Sequence, residues 1–112
     1  MEVIKKFPEN MDARTQYKMM KSPDVKKMSD AVDSILEVKS WITCNDVDEK
    51  TGEIKSILAI ETTDGEMLGT VSPTFMREFQ DITEFLGDDV GMIKVIGGKS
   101  KSGRNYITCT VE

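Results

Sequence analysis

The residues best suited to chemistry lie in one short stretch, Gly97 to Arg104, where Lys99, Lys101 and Arg104 stand with no acid between them. Cations so placed neutralise phosphates. The glycines Gly97, Gly98 and Gly103 let backbone amides approach the same oxygens closely. Tyr106 follows just beyond the loop, and Trp41, the only tryptophan, lies earlier in the chain. Flat rings beside cations suit a ligand that carries both phosphates and bases, because every base offers a π-face. Lys39, Lys55 and Lys94, on neighbouring strands, complete the candidate set.

Bond-making chemistry has little to work with. The chain has no histidine, which removes the commonest general base, the usual triads and imidazole metal sites. Cys44 and Cys109, far apart in sequence, cannot build a four-cysteine zinc site. Gly97-Gly98-Lys99-Ser100 looks like the tail of a phosphate-binding loop, but the motif's first glycine is missing and a hairpin follows instead of a helix. Asp46, Asp48 and Glu49 hint at calcium, yet the glycine offset is wrong for an EF-hand loop. We therefore expect a protein that is not an enzyme and carries no cofactor or metal.

At 112 residues and a formal charge of −5, the chain fits one acidic domain with room for a real core. An acidic total still allows a local cationic face to meet nucleic acid. No run of 18 apolar residues exists, so no membrane span is expected. The opening Met-Glu-Val-Ile-Lys-Lys-Phe-Pro lacks an apolar signal core, which leads us to expect a cytoplasmic protein. Both cysteines fall at inward strand positions and are expected to be buried, reduced thiols.

The elements that must position these residues follow in chain order. Residues 1–33 lean basic, through Lys5, Lys6, Arg14, Lys18, Lys21, Lys26 and Lys27, and form an N-terminal extension packed on the domain, either as a second basic contact or partner arm or as a solvated cap over a sheet edge. Glu2 to Phe7 suits an edge strand, and Asn10 or Asp12 can cap a helix over Ala13 to Met20. Ser22-Pro23 stops that helix, and Ser22 can cap a further single turn, Pro23 to Lys27. Residues 34–112 form the main domain. Its first strand runs from Ile35 to Cys44, and strict alternation would turn Leu36, Val38, Ile42 and Cys44 inward and Trp41 outward with Lys39. A second strand, Glu53 to Thr62, reaches the Asp64-Gly65 turn, and a third runs from Met67 to Ser72. The spacing of Phe75, Phe79, Ile82, Phe85 and Leu86 predicts a helix with those five side chains in its buried stripe, ended by Gly87. Met92 to Ile96 and Asn105 to Val111 make the last two strands.

The order β-β-β-α-β-β defines a mainly β fold with one or two helices. It matches an OB-fold-like five-stranded Greek-key barrel with an N-terminal extension, or else an open five-stranded sheet with a helix on one face. In such barrels the binding face commonly lies on the second and third strands, flanked by the first-to-second and fourth-to-fifth loops. Gly97 to Arg104 is the latter loop.

Trp41-Ile42-Thr43 in the first strand, Ile60-Glu61-Thr62 before an Asp-Gly turn, and Gly69-Thr70-Val71-Ser72 before a phenylalanine-bearing helix share an order with Val95-Ile96-Gly97-Gly98-Lys99 and Gly103-Arg104-Asn105-Tyr106. Over residues 34–112 this pattern resembles the small OB-fold single-stranded-DNA-binding proteins of tailed bacteriophages. The resemblance implies a protein that coats single-stranded DNA during phage replication or recombination in the host cytoplasm. Many such proteins end in an acidic tail that recruits replication partners. No counterpart stands between the last strand and Glu112, so tail-mediated recruitment is not expected. Few rings are present besides phenylalanine, so we expect affinity of roughly micromolar order, strengthened by cooperativity or self-association. The other class of reading is a protein-binding module, such as a phage-encoded inhibitor of a host enzyme, whose acidic loops at 46–49 and 88–89 mimic nucleic acid.

Overall fold

A computed structural model describes residues 1–112 and shows a mainly β protein with two helices. The architecture is set by one long strand. Ile35 to Val47 (β3) pairs with Ile54–Thr62 (β4) along one edge, and its other edge is divided between two partners. Residues 35–37 pair with Met92–Lys99 (β6), and residues 41–45 pair with the N-terminal strand Glu2–Phe7 (β1). Met67–Thr70 (β5) follows β4, and Asn105–Val111 (β7) follows β6. Lys26–Lys27 (β2) adds a short parallel strand beside β5. The sheet therefore has seven strands: the five expected of the main domain, the expected N-terminal edge strand β1, and β2, which was not expected. It curls into a half-barrel. The outer edge of β7 pairs with no strand, and the gap to the end of β5 is crossed by Ser72 Oγ donating to Ile107 O at 3.4 Å.

Each face of the sheet carries a helix. Pro73–Leu86 (α2) starts where Ser72 Oγ accepts from Phe75 N, with proline at the first turn where no amide is needed. It buries Phe75, Phe79 and Ile82 in the larger core with Leu36, Val38, Leu58, Ile60, Ile93 and Val95. The expected stripe stops there. Phe85 is 89% exposed and Leu86 51% exposed, because this last turn lies beside Thr110 and Val111, where β7 ends and no further sheet covers it. On the opposite face Ala13–Lys21 (α1), capped by Asp12 Oδ1 accepting from Thr15 N, sets Met19 on Ile42, Cys44 and Ala59, with Met11 beside it. The expected turn over Pro23 to Lys27 is replaced by β2 and a short 3-10 helix, Met28–Ala31, whose Met28 is buried in the larger core.

Trp41 differs most from its expected position. Across the β3–β4 ladder Val38 faces Thr62 and Ser40 faces Glu61, so β3 carries one extra residue at Lys39. Such a bulge shifts the alternation by one position. Leu36 and Val38 point into the larger core before it, and Trp41 does so after it, while Ile42 and Cys44 turn to the α1 side. Trp41 is therefore buried rather than outward, and Cys44 and Cys109 lie in different cores, both free thiols.

Candidate functional site

The basic stretch forms the tip of the β6–β7 hairpin. Its ladder runs out to Gly98 opposite Tyr106 and Lys99 opposite Asn105. The tip then closes on itself: Ser100 N donates to Arg104 O at 2.9 Å, and Gly103 N donates to Ser100 O at 2.9 Å. Gly103 has φ +82°, a backbone conformation that glycine adopts without strain. Lys99, Lys101 and Arg104 are exposed, and none forms a salt bridge; the two salt bridges of the molecule are Lys5–Asp88 and Lys26–Glu66. A cation without a carboxylate partner keeps its full charge for an incoming phosphate.

Tyr106 lies flat against this hairpin. A Cβ on Gly98 would fall 2.6 Å from the Tyr106 Cζ and hydroxyl, so the ring occupies the space that glycine leaves. Tyr106 as a whole is 40% exposed. Residues directly opposite in an antiparallel ladder share a face, as do those two apart along one strand. Lys94, Ile96 and Gly98 therefore share the outer face with Tyr106, Thr108 and Thr110, while Ile93, Val95 and Cys109 face the core. The structure thus places five of the candidates on one hairpin: Lys94 and Tyr106 on its outer face, Lys99 at a ladder position of the other face, and Lys101 and Arg104 in the turn.

The other three candidates lie elsewhere. Lys39 is the exposed bulge residue of β3. Lys55 faces Asp46 near the far end of the β3–β4 hairpin and lines a cleft of about 910 Å³ between that hairpin and α2. Trp41 forms part of that cleft's floor, but at 2% exposure it offers no face to a base. Its indole is fully engaged: Nε1 donates to Asp88 O at 2.8 Å, and Phe79 meets it edge-on with centroids 5.4 Å apart. Lys5 Nζ sits 5.7 Å from the ring centroid. Trp41 is thus a core residue and not a stacking platform, and no residue of the β6–β7 tip lines the cleft.

The face of the second and third main-domain strands, where a barrel of the expected kind commonly binds, is also occupied. Ala59 of β4 is fully buried on that side under α1, with Met67 of β5 packed at the margin. The helix that covers this face presents its own pattern to solvent. Arg14, Tyr17, Lys18 and Lys21 are all exposed and fall at i, i+3, i+4 and i+7, one side of a helix. These four residues were absent from the candidate set, although their spacing within an acid-free stretch is readable in the sequence.

No family model, no curated protein and no solved structure matches this chain.

Proposed function

We propose that this chain binds single-stranded DNA without sequence preference, through the β6–β7 hairpin of an OB-like half-barrel, in the cytoplasm and in the service of phage DNA replication or recombination. The observation that carries the reading is an acid-free tip of three unpaired cations beside an exposed tyrosine ring braced on Gly98. The cations track phosphates and the ring stacks under a base, two interactions that do not depend on sequence. The OB-like reading is supported by β3, which feeds both halves of a curled sheet, and by a helix between the third and fourth strands of the main domain. The alternative, acidic loops that imitate nucleic acid, has weaker support. Asp88 is neutralised by Lys5 at 3.0 Å, and Asp48 Oδ1 is spent on the amide of Lys50.

The test is a titration of labelled oligo-dT at several salt concentrations. For single strands, affinity falls with log salt at a slope of about −0.7 per contacted phosphate. Replacing Lys99, Lys101 and Arg104 together with alanine should flatten the slope by about 2 units. Tyr106→Ala should cost roughly 1–3 kcal/mol and leave the slope almost unchanged, since stacking is the interaction removed. No measurable binding at low salt would overturn the DNA reading and favour a protein partner.

A further inference from the structure

The solvent face of α1 carries a second concentration of unpaired positive charge. Arg14, Lys18 and Lys21 stand along one side of a nine-residue helix that contains no acid, and none of them forms a salt bridge. Tyr17 lies among them and is 67% exposed. Helix stability does not account for this arrangement. Like charges three and four residues apart repel one another. Lys18 and Lys21, in the last turn, complement the negative end of the helix dipole, but Arg14, in the first turn, faces its positive end. The acid nearest in sequence is the Asp12 cap, whose carboxyl the Thr15 amide holds low, with Arg14 and Lys18 assisting without forming a salt bridge, and the helix itself carries no acid.

The opposite side of the helix narrows the choice of partner. Met19 is buried on the sheet and Met20 packs against the same cluster. A helix that lies in a lipid surface needs a free apolar face, and α1 has already spent its own. What it leaves free is three cations and one flat ring, the pair of features that a phosphate backbone with unstacked bases requires.

We propose that the stripe Arg14–Tyr17–Lys18–Lys21 is a second contact for single-stranded nucleic acid, built on the helix that covers the outer face of β3, β4 and β5. The helix replaces a sheet surface that would otherwise be apolar with one that carries cations and a ring. The choice of ligand rests on the proposed function, but the site does not depend on the β6–β7 hairpin. With both sites engaged, six cations contact phosphates and the salt slope approaches about −4, so raising salt from 50 to 200 mM weakens binding about 300-fold. With one site engaged the same change weakens it only about 20-fold.

The experiment compares the full chain with two triple variants, Arg14→Ala/Lys18→Ala/Lys21→Ala and Lys99→Ala/Lys101→Ala/Arg104→Ala, on labelled oligo-dT, with thermal melts to verify that each is folded. The expected result is a slope near −4 for the parent and near −2 for either variant. In parallel, photocrosslinking to an oligonucleotide containing 5-iodouracil should mark Tyr17. If the α1 variant keeps the parent's slope and Tyr17 is not marked, the α1 site is overturned while the hairpin reading stands. If the hairpin variant keeps the parent's slope and the α1 variant loses it, the α1 site stands and the hairpin reading fails. Binding to anionic phosphatidylserine vesicles without binding to oligo-dT would overturn both.

Discussion

Cys109 and Cys44 illustrate how burial governs single residues here. Burial pushes the Cys109 thiol up to about 12, with the charge of Glu78 adding to the effect. Burial also raises Cys44. A thiol held protonated and covered has almost no thiolate with which to react at neutral pH. A thiol reagent should therefore leave the native protein unlabelled and modify both cysteines once it is unfolded; fast labelling of the native protein would contradict this. The shift has a second consequence. The folded state binds the Cys109 proton more tightly than the unfolded state, whose thiol titrates near about 8.5. That contribution to stability is complete below about 8.5 and is lost as pH rises towards the folded value. Denaturant midpoints measured across this alkaline range should fall, and Cys109→Ser should reduce the alkaline fall. Sequence alternation alone indicated that both thiols are inward. It did not show that they belong to different cores, because the bulge that separates them leaves no local signature in Val38-Lys39-Ser40.

Among the elements, α1 offers the clearest pH handle. Asp12 accepts from the amide of Thr15, which holds its carboxyl below the usual range, with the Thr15 hydroxyl assisting. The sign follows from the ionised form being favoured in the fold. The cap's contribution is present above the unfolded carboxylate value of about 3.9 and is lost as pH falls through the lowered one. Asp12→Asn keeps a capping oxygen but cannot ionise. It should flatten the acid limb of the α1 helical signal while changing little at neutral pH, as followed by circular dichroism. Local chemistry made such features legible. Asp12 and Ser72 cap as their side chains require, Gly65 and Gly87 hold the positive φ expected of a turn and a helix end, and the strand order of the main domain holds. What was not legible depends on distant partners. β2 consists of two lysines and is a strand only because β5 lies alongside. Phe85 continues a helical stripe that has no sheet left to meet. Of the candidate site, the hairpin cations and Tyr106 could be read from contiguous residues, whereas Trp41 was misplaced because its orientation depends on a ladder with β4.

At the scale of the whole molecule, β3 serves two interiors at once. One is closed by α2 and the other by α1, and Ser40 sits at the transition, where its hydroxyl donates to Glu61 Oε1 at 2.9 Å. No helix of the protein is long and apolar enough to cross a membrane. The extra residue at Lys39 acts like a frameshift in a two-letter message. Upstream of it the odd positions mean outside; downstream they mean the α2 side, and the text still makes sense only because one letter was inserted. Deleting Lys39 would withdraw the inserted letter and leave strict alternation from Val38 through Ser40 to Trp41, so Trp41 would still point to the α2 side and Ile42 and Cys44 to the α1 side. What the deletion removes is the local bend and twist of the bulge, not the side each residue takes. The deletion variant should therefore still unfold cooperatively with Trp41 buried, but at a lower midpoint than Lys39→Ala, which keeps the count and should melt close to the parent. A deletion variant that loses cooperative unfolding would show that the bend itself holds the two interiors together.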